Sequence, residues 1–132
     1  MPDSASNVRF SGTDAYIRAA MSGLAARQRA IANNVANVDT PNFKASEVRF
    51  EDALKAAESR ATRGLSVSQS DLNSSASRAT IMDATSTRGD GNNVDIDREM
   101  EMLGEANLTY SALTQAMSTR LSILRNVING GR

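Results

Sequence analysis

The chain has 132 residues, with 15 basic and 15 acidic residues and a formal net charge of zero. This balance indicates neither a nucleic-acid-binding surface nor an acidic solvating tail. Cysteine and histidine are absent, which excludes disulfides, thiol nucleophiles, histidine bases and ordinary zinc sites, so we expect no metal and no cofactor. Aromatic residues make up only 4%, which favours long helices with narrow apolar seams over a globular core.

The N-terminus carries no targeting pattern. Residues 1–10 contain one basic residue, Arg9, and no apolar run, so we predict no cleavable signal peptide and a flexible segment over residues 1–12. No stretch approaches the roughly 20 apolar residues that a membrane span needs, so we expect no direct membrane span.

A first helix is predicted from residue 13, and residues 13–43 form one unit with the turn that follows. Its apolar residues alternate between spacings of three and four, which is a heptad pattern. Many alanines keep the rest of the helix thin, so that neighbouring helices can approach closely. The seam comprises Ile17, Met21, Leu24, Gln28, Ile31, Val35 and Val38.

The stretch ANNVANVDTPNF, residues 32–43, ends this helix. Thr40, Pro41, Asn42 and Phe43 fit a type II turn, with proline at the second position and a residue that tolerates positive φ at the third. Thr40 precedes a proline and is therefore disfavoured in the helical region.

The asparagines in this stretch need separate explanations. Asn37 and Asp39 lie where side chains cap a helix end. Asn33 and Asn34 lie a full turn earlier, where capping is a poorer explanation. We interpret these two amides as hydrogen-bonding groups between packed subunits.

Residues 44–93 form a polar linker. A short helix is predicted near residues 51–63, and a serine-rich stretch with few large apolar residues follows. Such a segment cannot bury enough surface to offset its ordering entropy. We therefore expect disorder in the free chain and ordering only on a partner.

A second helix is predicted within residues 94–132, with Asp95 as its N-cap and Asn129 and Gly130 at its end. The same heptad spacing recurs, with polar interruptions. The seam comprises Ile96, Met100, Leu103, Asn107, Tyr110, Thr114, Met117, Leu121, Leu124 and Ile128.

These patterns predict an all-α fold, in which two long terminal helices pair as an antiparallel coiled-coil hairpin around the flexible middle. Such pairing would set Arg27 and Arg29 beside Glu99, Glu101 and Glu105. Independently solvated charged faces explain the same residues equally well.

The sequence offers no converging catalytic groups, so we expect no enzyme. Polar seam residues such as Gln28 and Asn107 typically fix register and oligomeric state, which favours assembly with other chains. The alternative is a helical-hairpin adaptor or chaperone-like binding module of a type III secretion system.

The stretch at residues 32–43 resembles the signature A-N-N-[IV]-A-N-x-x-T-P-G-[YF] of bacterial flagellar rod and hook proteins, with Asn42 in place of the usual glycine. Hook and distal-rod proteins carry large β-rich domains, for which this chain has no room. The stretches DGNNVDIDREM, residues 90–100, and LSILRNVINGG, residues 121–131, resemble FlgB-type proximal rod proteins.

This resemblance implies a structural subunit of the proximal rod. Such subunits are exported largely unfolded by the flagellar type III apparatus, without signal cleavage. Their terminal helices pack with copies of the subunit and with other rod proteins, near ring and export-gate components. The resulting periplasmic tube transmits torque and encloses the export channel.

The resemblance also suggests an export-gate motif, of the form Phe-x-x-x-apolar. Phe50 and Leu54 match it, although one turn of an amphipathic helix explains the same spacing.

Overall fold

The computed structural model describes residues 12–63, 68–82 and 88–130. This part of the chain is mostly helical, as predicted, and none of its helices is both long and apolar enough to cross a membrane. Its elements in chain order are α1 (Gly12–Ala36), β1 (Ser46–Val48), α2 (Phe50–Thr62), α3 (Gln69–Ala76), β2 (Ala79–Ile81) and α4 (Ile96–Gly130).

Helix α1 lies at the centre, where it contacts α2, α3, α4 and both strands. Four of its buried residues are alanines, which let the surrounding elements approach closely, and Leu24 and Ile31 are its large buried apolar side chains. The apolar core is correspondingly narrow. Its main cluster comprises Ala20, Leu24, Ala26, Ala30, Val48, Phe50, Ala76 and Ala106, and a smaller one comprises Ala19, Ala57 and Leu72.

Helices α1 and α4 lie side by side, and their contacting residues run in opposite order along the chain. Three polar contacts define this order: Asp14 with Arg120 at 2.6 Å, Gln28 with Asn107 at 2.8 Å, and Asn34 with Glu99 at 3.0 Å. A regular coiled coil between these helices stays a prediction.

The predicted seams differ in burial between the two helices. In α1, Leu24 and Ile31 are buried, and the other members are partly buried. In α4, Leu103, Tyr110 and Met117 are partly buried, and the buried positions are Glu99 and Ala106. Several α4 seam members are exposed instead: Ile96, Met100, Asn107, Thr114, Leu121, Leu124 and Ile128.

The all-α prediction needs one correction, because β1 and β2 form an antiparallel sheet. Ser46 pairs with Ile81, and Val48 pairs with Ala79. Strands of three residues are too short to show an alternating pattern. Side chains of α1 hold β1 in place, since Asn34 bonds both backbone groups of Ser46 and Arg27 donates to the Val48 carbonyl.

The middle of the chain contains two helices. Helix α2 lies where the short helix was predicted, and α3 arises from the serine-rich stretch, where the Ser70 N–H donates to Ser68 Oγ at 3.2 Å as an N-cap. Leu72 and Ala76 of α3 are buried.

The predicted disorder of residues 44–93 in the free chain stays a prediction. Residues 1–11, which hold most of the predicted flexible N-terminus, lie outside the described residues.

Candidate functional site

Two polar stretches distant in sequence meet where α1 ends and α4 begins. We call this region the polar junction and define it as residues 33–46 together with residues 88–99. It contains the turn stretch and the stretch that opens the second helix, so the two sequence signatures form one structural unit.

Asn92 closes the end of α1. Its side chain is fully buried, and Nδ2 lies 2.9 Å from the Asn37 carbonyl oxygen, 3.0 Å from that of Val38 and 2.8 Å from that of Thr40. These carbonyls belong to the turn that follows α1, so one amide holds three residues of this turn against the start of the second stretch. Asn92 Oδ1 accepts from the Val94 N–H at 2.8 Å. This role was not predicted from the sequence, in which the repeated asparagines before α4 were the available signal.

The turn after α1 has the expected conformation at its third position. Asn42 has a φ of 59°, and the Phe43 N–H donates to the Thr40 carbonyl at 3.3 Å. The Asn42 N–H donates to the Asp90 carbonyl at 2.9 Å, which joins the turn to the second stretch. Gly91, with a φ of 76°, lies so close that an added Cβ would be 2.6 Å from Asn42 Oδ1.

Asn34 connects three elements of the fold from within α1. Its fully buried amide donates to the Ser46 carbonyl at 2.9 Å and to Glu99 Oε1 at 3.0 Å, and its Oδ1 accepts from the Ser46 N–H at 2.9 Å. These partners use both N–H groups of the amide inside the chain. The intersubunit role expected for Asn34 is therefore corrected to an internal one.

The other turn residues lie nearer the surface. Asn37 Nδ2 donates to the Asn33 carbonyl at 2.8 Å, which makes Asn37 an end cap as predicted. Asn33 is exposed, and so are Asp39 and Pro41. Only Asn33 of the first asparagine pair remains available for contacts with another subunit.

The start of α4 brings a carboxylate into the junction. Asp95 caps the helix as predicted, because its Oδ1 accepts from the Asp97 N–H at 3.0 Å and from the Arg98 N–H at 3.3 Å. One turn later Glu99 is buried, and this burial raises the pKa of its carboxyl above the ordinary 4.5. No group of side chains suited to a metal ion occurs in residues 12–63, 68–82 and 88–130.

Comparisons with known proteins identify relatives of the chain. The family model described as "Flagella basal body rod protein" matches residues 17–44, which cover most of α1 and its turn. The flagellar basal body rod protein FlgB of Bacillus subtilis is 39% identical over 127 residues, covering 93% of this chain and 98% of the relative. The chain belongs to the FlgB family of flagellar basal body rod proteins.

Other FlgB relatives come from distant bacteria. That of Borrelia hermsii is 37% identical over 117 residues, covering 80% of this chain and 87% of the relative. That of Escherichia coli is 32% identical over 120 residues, covering 81% and 86%. These relatives are rod proteins and not enzymes, so membership implies a structural role in the flagellar basal body and in motility.

In this member of the FlgB family, Phe50 is a core residue. It is 6% exposed, it packs against Gly23, and the Arg27 guanidinium lies 4.6 Å from the centre of its ring. Arg27 also forms a 2.6 Å ion pair with Glu51, in place of the expected pairing with α4. Leu54 is partly buried. The folded chain therefore does not present Phe50 on its surface.

The far end of α4 contrasts with the polar junction. Asp14 of the first turn of α1 pairs with Arg120, so that the remainder of α4 runs beyond this last polar contact. Every residue of the stretch 121–130 is exposed. Its large apolar side chains are Leu121, Ile123, Leu124, Val127 and Ile128.

Proposed function

We propose that the chain is a structural subunit of the proximal rod of the bacterial flagellum. Its terminal helices pair as an antiparallel coiled-coil hairpin and pack with copies of the subunit and with other rod proteins. The product is a helical tube that crosses the periplasm, transmits torque and encloses the export channel. The observation that carries this proposal is that α4 contacts α1 between Glu99 and Arg120, whereas the apolar side chains of residues 121–130 are exposed.

The exposed seam of α4 supports the packing role. Met100, Leu121 and Leu124 keep the heptad spacing but lie more than 45% exposed. Contiguous exposed apolar surface marks interaction sites in soluble proteins. A helix whose apolar seam is left partly uncovered by α1 suits a subunit that meets neighbours on that side.

The folded state constrains the proposed export step. Docking of Phe50 and Leu54 on the export gate requires a chain in which α1 and α2 have not yet packed, because packing buries Phe50. This agrees with export of a largely unfolded subunit without signal cleavage. Residues 44–93 then order as the exported chain folds.

Secretion assays test the docking step. Phe50→Ala combined with Leu54→Ala should lower the secreted level of the subunit. Leu24→Ala is the matched control, because Leu24 is buried as deeply but lies outside the motif. Equal secretion of the double variant and the wild type, or an equal loss in the control, would remove the docking role.

The assembly proposal has a separate test. Helicity and sedimentation of the full chain should depend on its concentration and on added rod proteins, and a side-chain-resolution map of the basal body should place the 121–130 stretch against neighbouring subunits. A chain that stays monomeric, with sedimentation insensitive to its concentration and to added rod proteins, favours the adaptor role instead.

A further inference from the structure

A carboxylate lies inside the polar junction, and none of the described residues forms an ion pair with it. Glu99 is 3% exposed, and its Oε1 accepts one hydrogen bond, from Asn34 Nδ2 at 3.0 Å. Its Oε2 is buried and accepts no hydrogen bond from the part of the chain that the structure describes. Buried carboxylates are normally paired or fully hydrogen-bonded, so this arrangement requires an explanation. The rod assembly proposed above assigns Glu99 no role.

The surroundings of Glu99 favour its neutral form. Burial is the main cause that raises the pKa of its carboxyl, and the charges of Glu47 on β1 and Asp95 before α4 add to it. The hydrogen bond from Asn34 on α1 and the charge of Arg98 on α4 lower the pKa without cancelling the rise.

The two oxygens of the carboxyl suit a protonated group. Oε1 accepts from the Asn34 amide as a carbonyl oxygen would, and Oε2 can carry the proton. Ionisation would instead leave charge on a buried oxygen that accepts no hydrogen bond from residues 12–63, 68–82 or 88–130. A cavity of about 480 Å³, lined in part by Glu99, Asn92 and Arg98, gives water access to this region.

We propose that Glu99 is a proton-operated latch in the polar junction. The neutral carboxyl holds α4 against Asn34 and, through Asn34, against the backbone of β1 at Ser46. Ionisation loosens this junction and weakens the pairing of α1 with α4. The latch is a property of the folded chain and stands or falls independently of the rod assignment. In a subunit that assembles outside the cytoplasm, acidification of that compartment would lock the terminal helices more firmly.

The expected change of stability with pH is opposite in sign to that caused by a salt-bridged carboxylate. The folded chain holds a proton on Glu99 that the unfolded chain releases near the ordinary pKa of 4.5. Below that pH the carboxyl is protonated in both the folded and the unfolded chain, so folding carries no free-energy cost from ionising a buried carboxyl. This cost grows as the pH rises through the raised pKa, so that stability is lost with increasing pH.

Urea unfolding of the full chain, followed by helical circular dichroism, tests the latch at about pH 5 and about pH 8. The variants are Glu99→Gln, which keeps the shape without the charge, and Glu101→Gln, an exposed control on the same helix. The wild type and the control should shift to a lower urea midpoint at the higher pH, relative to Glu99→Gln. The same pH dependence in all three proteins overturns the proposal.

A local measurement separates loosening of the junction from global effects. The Ser46 amide donates to Asn34 Oδ1, so its hydrogen-exchange protection reports the junction directly. Protection should fall with rising pH in the wild type and hold in Glu99→Gln. Protection that falls equally in both proteins contradicts the latch.

Carbon-13 NMR titration of the Glu99 carboxyl gives a readout that needs no unfolding transition. Comparison of the wild type with Glu99→Gln assigns the signal. A midpoint above the ordinary carboxyl value supports the latch, and a midpoint at or below that value overturns it.

Discussion

The two ends of the α1–α4 pair differ in how far their side chains are buried and bonded within the chain. At the polar junction, Asn34 and Asn92 are fully buried, and their amides bond backbone groups of the same chain. At the other end, the large apolar side chains of residues 121–130 lie exposed, beyond the ion pair of Asp14 with Arg120. One end is completed within the subunit, and the other end leaves the apolar surface exposed that we propose packs against a neighbour.

This difference separates two kinds of effect in a single chain. Changes at the junction, or in the core beside it, should lower the free energy of unfolding of the isolated subunit. Changes at the exposed end should leave that free energy almost unaltered and act on assembly. Four substitutions test this division, ordered by their expected effect on stability.

Gly23→Ala should cause the largest loss, because an added Cβ would overlap Phe50 Cβ and lie 2.6 Å from Phe50 Cγ and 3.2 Å from the Ala76 carbonyl oxygen. Displacing Phe50 from the core costs about 3 kcal/mol of unfolding free energy, typical of severe overpacking. Urea denaturation of the two proteins measures it.

Gly104→Ala is the matched control for this change. Gly104 lies in α4 with nothing within 4 Å of an added Cβ, so alanine should stabilise the helix by about 0.5 to 1 kcal/mol. Losses of the same size in both variants would contradict the close packing of α1 on Phe50.

Asn92→Ala should cost about 2 kcal/mol, since three carbonyl groups of the turn after α1 lose a buried donor. Thermal unfolding by circular dichroism measures the loss. Asn107→Ala removes one exposed hydrogen bond with Gln28 and should change stability by less than about 0.5 kcal/mol. An Asn92→Ala variant as stable as this control would show that the junction does not depend on Asn92.

Gly91→Ala should cost about 1 kcal/mol, because the residue has a φ of 76° and an added Cβ would approach Asn42 Oδ1. Gly89→Ala is the control, with open space around the added Cβ. Chemical denaturation of both variants should separate them, and identical midpoints would remove the argument for a close approach between Gly91 and the turn.

Local signals allowed the helices and the turn to be predicted from the sequence. The heptad spacing indicated α1 and α4, Asp95 marked the start of α4, and the pair Pro41 and Asn42 indicated positive φ at the turn. Each of these signals lies within a few residues of the feature it predicts.

The features that were missed depend on partners distant in sequence. The sheet joins residues more than thirty positions apart, and Asn92 reaches the end of α1 across more than fifty. Helix α3 packs against α1 and α2, and these contacts outweigh its weak helix-forming composition. Glu99 was assigned to a charged surface, and only its proximity to Asn34 shows that it is internal.

Leu121→Asp should have the smallest effect on the isolated subunit, because Leu121 is 53% exposed and has Arg125 one turn away. We expect the unfolding free energy to change by less than about 0.5 kcal/mol. Assembly should nevertheless fail, because packing against a neighbour would bury an unpaired carboxylate. Sedimentation with other rod proteins and motility of cells carrying the variant measure the loss of assembly.

Ser118→Asp is the control for Leu121→Asp. It adds the same charge at an exposed polar position of α4 and should assemble. Normal motility with Leu121→Asp would show that the exposed end of α4 is not the packing surface, and a large loss of stability would show that this end is already covered within the subunit.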